Sequence, residues 1–289
     1  MNERNSQHSC QQLEFSRRHK RWCSCQRISG ASIANGRPIP FFKKDLPSAV
    51  RSSQSLRRIM SASEQTEEQA KADHVAKMSS EISLVYNALW QEVAWINQKW
   101  AQYVALFGTS PERIELLNRA APSMIRTVQD TLWGDVLLHL ARLNDSPKSM
   151  GKPNLSVQHL ADLLKGSPVH TTAESLSVAA RKACEFARDW RNRRLAHSDL
   201  DLALGDSVQP LASASRADVD ASLAALEELL NTVSSHYLNS TTRFSLSPVG
   251  VDAVSLLYLL RDGLQFRDDR LARIERGEPR PDDFQPEAL

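Results

Sequence analysis

The sequence has no long hydrophobic run and no apolar leader. No stretch of about eighteen consecutive apolar residues occurs, which excludes a membrane-spanning helix of ordinary length. The N-terminus also has no apolar core of the kind that secretory signals carry. Hydrophobic residues make up 41% of the chain and charged residues 24%, a composition typical of a globular protein that buries a core. We therefore expect a cytoplasmic protein with no membrane partner.

Cysteine is scarce, and its distribution argues against disulfides. Of the four cysteines only Cys184 lies beyond the first 25 residues, so no disulfide framework is present and a reducing compartment is expected. Cys10, His19, Cys23 and Cys25 are residue types that bind zinc. Their spacing is unsuitable, because one residue separates Cys23 from Cys25 and no second pair follows. We expect free thiols there, and neither a metal nor another cofactor in this protein.

The chain also lacks a Gly-rich phosphate loop, strand-like alternation and a repeat of fixed period. Instead, apolar residues recur every three or four positions from residue 60 onward, the period of amphipathic helices. The pattern predicts an all-α, up-and-down bundle of about four main helices plus shorter ones, within a domain at 60–275. A loose, acidic, Pro-rich tail is expected at 276–289. The predicted main helices run from about residue 62 to Gly108, then over 122–143, 172–194 and 215–237, with a further helix over 248–264.

Basic residues are concentrated before residue 59. Residues 1–58 carry twelve Lys and Arg and three acidic residues, a balance of +9, whereas residues 59–289 have a balance of −7. Since the N-terminal segment has no periodic apolar face, we expect residues 1–59 to be disordered. It is a nucleic-acid-binding arm, a transit peptide or sequence upstream of the true start codon. The last interpretation is favoured because Met60 directly precedes Ser61 and Glu64, which have the spacing of a capping box.

The most distinctive stretch is RDWRNRRLAHSD, Arg188 to Asp199, which has four arginines within seven residues. It is either a solvated helix end, where cations complement the helix dipole, or a site that handles phosphate. The second interpretation is favoured because Arg191 follows Phe186 and Trp190, which lie on the predicted apolar face. His197 would bring a group that titrates near neutral pH close to that permanent cation.

The run Arg191-Asn192-Arg193-Arg194-Leu195-Ala196-His197 resembles the R-x4-6-H signature of HEPN domains, with a polar residue after the arginine. Its context FARDWRNRRLAHSDLDL, together with the upstream TLWGDVLLHLARLND, resembles more narrowly the AbiU-like branch associated with abortive phage infection. The resemblance covers roughly residues 62–240. It implies a metal-independent endoribonuclease that acts as a homodimer, with RNA as its substrate and, in some systems, an antitoxin or regulatory protein as a partner.

The resemblance also implies roles for individual residues. His197 is the acid or base, Arg191 holds the phosphate oxygens, and Asn192 orients His197 or the substrate. We expect the other arginines of the cluster to contact backbone phosphates, namely Arg188, Arg193 and Arg194. Two acidic residues are possible supports of the site, Asp199 and Asp135. For Asp135 the alternative is a solvated pair with His139 on the same helix face.

A second hypothesis comes from another class of protein. HEPN-like bundles include members that are not nucleases, so this bundle is alternatively a silent interaction or regulatory module of a toxin–antitoxin or abortive-infection system. The net charge of −7 beyond residue 58 is unfavourable for a general RNA-binding surface. A partner-only protein would tolerate Arg191→Ala, whereas a nuclease would not.

Overall fold

The structure, a computed structural model, describes residues 67–196, 204, 210–246 and 250–284. The chain divides into two compact units between Ala70 and Lys71, and every contact described below lies within the second unit. The predicted N-terminal segment, with the zinc candidates and Met60, lies outside the described residues.

The described part of the chain is a bundle of α-helices. In chain order these are α1 Glu67–Lys77, α2 Ser80–Phe107, α3 Pro111–Ala120, α4 Pro122–Leu143, α5 Val157–Leu163, α6 His170–Ala183, α7 Glu185–Trp190, α8 Arg216–Leu238 and α9 Gly250–Glu275. A π-helical turn, Arg191–Leu195, continues α7, and 3-10 turns lie at Phe244–Leu246 and Pro281–Phe284. The prediction of an all-α bundle is confirmed. Among the described helices, none is both long and apolar enough to span a membrane.

The core lies where α2, α4, α6 and α8 meet. Helices α2, α4 and α8 supply its fully buried side chains, which include Leu89, Val93, Ile96, Val136, Leu137, Leu140, Leu226 and Leu229. Small residues on α6, such as Ala173 and Ala180, are also fully buried and allow α6 to pack closely against α8.

The long first helix that the periodicity predicts is broken. α1 ends at Lys77, and Ser79 caps α2, with its side-chain oxygen accepting a hydrogen bond from the Ile82 amide at 3.4 Å. The two helices fold against each other, since His74 Nδ1 lies 2.7 Å from Asn87 Oδ1. In a continuous helix these two residues would be about 20 Å apart along the axis.

The helix predicted over 172–194 is also interrupted, at Cys184 between α6 and α7. The interruption frees carbonyl groups, and the hydroxyl of Ser222 on α8 donates to the Ala183 carbonyl at 2.9 Å. The pattern predicts no strand, whereas the structure has a small antiparallel hairpin of two-residue strands, β1 Lys148–Ser149 and β2 Lys152–Pro153. Both turn residues, Met150 and Gly151, have positive φ, as this kind of hairpin requires.

The described part of the C-terminal tail is attached to α9. Arg273 Nη2 lies 2.5 Å from Asp283 Oδ1, and the Arg280 amide donates to the second oxygen of the same carboxylate at 2.8 Å. The hydrogen bond from Arg273 holds the pKa of Asp283 below its ordinary value. This ion pair fixes the 3-10 turn at Pro281–Phe284 against the end of α9.

Candidate functional site

The predicted arginine motif lies on the π turn that continues α7. The Ala196 amide donates to the Arg191 carbonyl at 2.8 Å, a bond that spans five residues instead of the four of an α-helix. Single π turns within helices are uncommon and occur often at functional sites. This described range ends at Ala196, directly after the turn, so His197 and Asp199 lie outside the described residues.

Helix α7 and the π turn pack against α4. The Trp190 ring meets the Trp133 ring edge to face, with centroids 6.3 Å apart. Leu195 packs on α4 at Gly134, where a Cβ atom would lie in van der Waals contact with the Leu195 Cδ2 atom, 3.4 Å away. These contacts fix the position of the backbone that carries Arg191.

Arg191 is held by two side chains. Its Nη1 atom lies 2.6 Å and 2.7 Å from the two carboxylate oxygens of Asp145, and its Nε donates to Asn192 Oδ1 at 3.0 Å. The Arg191 and Asp145 side chains are 20% and 27% exposed, so the ion pair is partly shielded from water. The Nη2 atom has no partner among the described residues, which leaves two N–H groups available to a ligand.

Asp145 owes its position to the end of α4. Asn144 is fully buried, and its Nδ2 donates to the Leu140 carbonyl at 2.9 Å, which anchors the last turn. The Asp145 amide donates to the Arg142 carbonyl at 3.1 Å. A carboxylate at a helix C-terminus is unfavourable beside the negative end of the helix dipole, and Arg191 provides the compensating charge.

Sequence reasoning missed Asp145 as a site residue. In the sequence it marks only the end of the helix, together with Ser146 and Pro147. An acidic residue at a helix C-terminus is repelled by the negative end of the helix dipole. This unfavourable position was the signal in the sequence that Asp145 has a cationic partner.

The other three arginines of the motif have different environments. Arg193 lies 3.6 Å from Asp189 and donates to the Pro210 carbonyl at 3.2 Å, so it is engaged within the fold. Arg194 is exposed, with its guanidinium 5.5 Å from the centre of the Trp190 ring. Arg188 is half-buried and has no hydrogen-bond or ion-pair partner among the described residues.

Residues 210–212 lie beside α7. Trp190 Nε1 donates to the Ala212 carbonyl at 2.9 Å, and the Ala212 amide donates to Asp189 Oδ2 at 2.8 Å. Together with the bond from Arg193 to Pro210, these contacts attach the chain that follows the motif to the helix that carries it.

Asp135 belongs to a separate charged cluster between α2 and α4. Its carboxylate lies 2.6 Å from Lys99 Nζ and 3.5 Å from His139 Nε2, and His139 Nδ1 lies 3.1 Å from Glu92. The predicted pair with His139 is present and extends to α2. Asp135 is ten residues before Asp145, about 15 Å along the axis of α4, and its partners are those of this cluster rather than Arg191.

Cys184 packs in the core. It is fully buried, and burial raises the pKa of its thiol to about 11, although a hydrogen bond with Ser222 acts in the opposite direction. Within the described residues, no group of three or more His, Cys, Asp or Glu side chains is arranged to hold a metal ion.

We expect Cys184 to resist alkylation in the folded protein. At pH 8 its raised pKa and its burial leave almost no accessible thiolate, so iodoacetamide should modify it only after unfolding in denaturant. Peptide mass spectrometry distinguishes Cys184 from the three N-terminal cysteines. Rapid modification of the native protein at Cys184 would contradict the packing described here.

One of three comparisons with known proteins gave a match. The HEPN_AbiU2 family model, described as AbiU2, matches residues 79–249, more than half of the chain. The matched range begins at the cap of α2 and includes Asp145 and the arginine motif, whereas α9 lies beyond it. Searches of curated proteins and of solved structures found no match. The chain therefore belongs to the AbiU2 family, a family of HEPN domains associated with abortive infection.

Proposed function

We propose that this chain is a metal-independent endoribonuclease that cleaves cytoplasmic RNA. In the proposed reaction the 2′-hydroxyl group of the RNA attacks the adjacent phosphorus atom. The observation that carries the proposal is the state of Arg191. It is partly buried and fixed through Nε and Nη1, and its Nη2 atom has no partner among the described residues. A guanidinium held in this way is suited to grip a phosphate oxygen.

The chemistry needs three functions at one phosphodiester. A base removes the proton from the 2′-oxygen as this oxygen attacks phosphorus, and an acid gives a proton to the departing 5′-oxygen. A cation stabilises the charge on the non-bridging oxygens between these events. Arg191 would supply the last function and His197 would act as base or acid, leaving a 2′,3′-cyclic phosphate and a 5′-hydroxyl. DNA would not be cleaved, because it has no 2′-hydroxyl.

The geometry suggests a division of labour among the neighbouring residues. Arg188 and Arg194 would contact backbone phosphates, since neither has an ion-pair partner among the described residues. Arg193 has partners on both sides and would mainly hold residue 210 beside the motif. Asn192, which accepts a bond from Arg191, would orient the guanidinium. Asp199 remains a possible support for His197.

A homodimer would complete the site. One motif offers one histidine, whereas the reaction needs both a base and an acid. A twofold axis that brings two motifs together would supply both around one phosphodiester. Asn192 and Arg194 are exposed and would lie toward such a partner.

The biological role that follows is RNA cleavage in phage defence or as a toxin, with a neutralising antitoxin as a possible partner. One observation favours the alternative of a silent regulatory module. Nη1 of Arg191 contacts both carboxylate oxygens of Asp145, so the positive charge of Arg191 is already balanced by a charge within the fold. The net charge of −7 beyond residue 58 acts in the same direction.

The test is RNA cleavage in the presence of EDTA with analysis of the product ends. We expect the full-length chain to yield 2′,3′-cyclic phosphate ends, and His197→Ala to lower the rate by about a hundredfold or more, since general acid–base catalysis contributes that much. His236→Ala is the matched control, because His236 is exposed on α8, and it should cleave like the wild type. An oligonucleotide with 2′-deoxy sugars should stay intact. If the wild type cleaves neither total RNA nor defined oligonucleotides, the regulatory module becomes the better explanation.

A further inference from the structure

We propose that α9 mediates self-association by pairing antiparallel with α9 of a second copy of this chain. The inference does not depend on the nuclease chemistry, since α9 lies beyond the range that matches the family. It rests on a second face of α9 that is exposed in the described part of the bundle.

One face of α9 is already buried. Ala253, Leu257 and Leu264 face the core, where α9 packs against α2 and α3, and Asp268 forms an ion pair with Arg119 of α3. A helix with one buried stripe normally carries polar residues on its remaining surface.

The remaining surface of α9 has an apolar stripe instead. Leu256, Leu259 and Phe266 are 42%, 71% and 56% exposed, and Gly263 lies between the last two. With Asp252 and Arg270 at its ends, the stripe has spacings of four, three, four, three and four residues. This is the heptad spacing of the positions that face a partner helix in a coiled coil, and it extends over about 27 Å.

The stripe is complementary to itself when one copy is reversed. If two α9 helices cross at Arg261, Asp252 of each copy lies opposite Arg270 of the other, which pairs opposite charges at both ends. Neither residue has an ion-pair partner among the described residues. Leu256 then lies opposite Phe266, a pairing of two large apolar side chains.

At the centre of the proposed pair, a large side chain of one helix lies opposite a glycine of the other. Leu259 of each copy lies opposite Gly263 of the other, and a Cβ atom at Gly263 would have no described residue of its own chain within 4 Å. A leucine opposite a glycine lets two helices approach closely. All three pairings share one register, and a twofold axis repeats each of them.

Asp262 flanks the stripe and is the residue least favourable for the pairing. It lies near the proposed twofold axis, where it would approach Asp262 of the second copy. It is already paired with Arg261 at 2.8 Å, which offsets its charge, and Arg261 itself lies on the opposite side of α9 from the stripe.

Sedimentation velocity of the full-length chain over about a hundredfold range of concentration tests the pairing. We expect the wild type to associate and Leu259→Asp to halve the assembly mass, whether or not the motif surfaces also pair. Val178→Asp is the matched control, because Val178 is 62% exposed on α6, outside the stripe. Circular dichroism shows whether each variant keeps its helices. A monomeric wild type, or an unchanged mass for Leu259→Asp, overturns the proposal.

Charge reversal tests the antiparallel register directly. Asp252→Arg alone and Arg270→Asp alone each place like charges opposite one another at both ends, so each variant should associate less than the wild type. A mixture of the two variants restores opposite charges at both ends, and the mixed pair should form at wild-type strength. If the mixture remains as weak as its components, the register proposed here is wrong, even if the stripe buries a different partner.

Discussion

Arg191→Lys should lower the rate constant of RNA cleavage by about a hundredfold to a thousandfold, the usual effect of losing one donor to a developing oxyanion. The arginine binds Asp145 through Nη1 and Asn192 through Nε, and its Nη2 atom, which has no partner among the described residues, is the donor that we propose for the substrate. A lysine has a single nitrogen, which would bind Asp145 and could not also hold a phosphate oxygen in a fixed direction. Loss of this donor mainly affects the transition state, so we expect kcat to fall more than KM rises.

Single-turnover cleavage of a defined oligonucleotide measures this effect. Arg126→Lys is a matched control, because Arg126 is also paired with an aspartate, Asp130, but on the exposed surface of α4. Both variants should retain the fold, since partly exposed ion pairs contribute about 1 kcal/mol or less to stability. If Arg191→Lys cleaves at the wild-type rate, a point charge is sufficient at this position. The proposal that Nη2 donates a directed hydrogen bond to a phosphate oxygen is then wrong.

The architecture of the bundle was predictable from the sequence because apolar periodicity reports directly which helix faces are buried. The breaks were not predictable in the same way. The apolar period continues through Met78 and through Cys184, so the pattern alone favours continuous helices there. The break at Ser79 has a local signal in its capping side chain. The break at Cys184 is supported by Ser222, a residue of another helix that no local pattern connects to it.

The candidate site divides in a similar way. Arg191 and Asn192 could be identified because the motif is a short continuous run. The partner Asp145 is 46 residues earlier in the chain, and only the packing of α7 on α4 brings the two side chains together. The π turn was also not predictable, since its hydrogen bond from Ala196 to Arg191 leaves no signature in the residue types. The roles of His197 and Asp199, and the start at Met60, remain predictions of the sequence.

Asp145→Asn should separate binding from catalysis. The substitution keeps the size of the side chain and one hydrogen-bond acceptor for Arg191, but it removes the charge that neutralises the guanidinium. The freed positive charge should strengthen RNA binding and make it more dependent on salt, by about one counterion. The looser guanidinium should lower kcat by about tenfold to a hundredfold, because misplacement by about 1 Å is already costly for catalysis.

Opposite changes in affinity and in kcat identify Asp145 as a positioning residue, because a general loss of folding would weaken both. RNA binding at several salt concentrations and single-turnover cleavage provide the two measurements, with Asp130→Asn on the same helix as the control. In the double variant Asp145→Asn/Arg191→Lys, the loss of rate should be smaller than the sum of the single effects, expressed as free energies, because both substitutions act on one contact. If the effects are additive, Asp145 does not act through Arg191, and the ion pair contributes to stability alone.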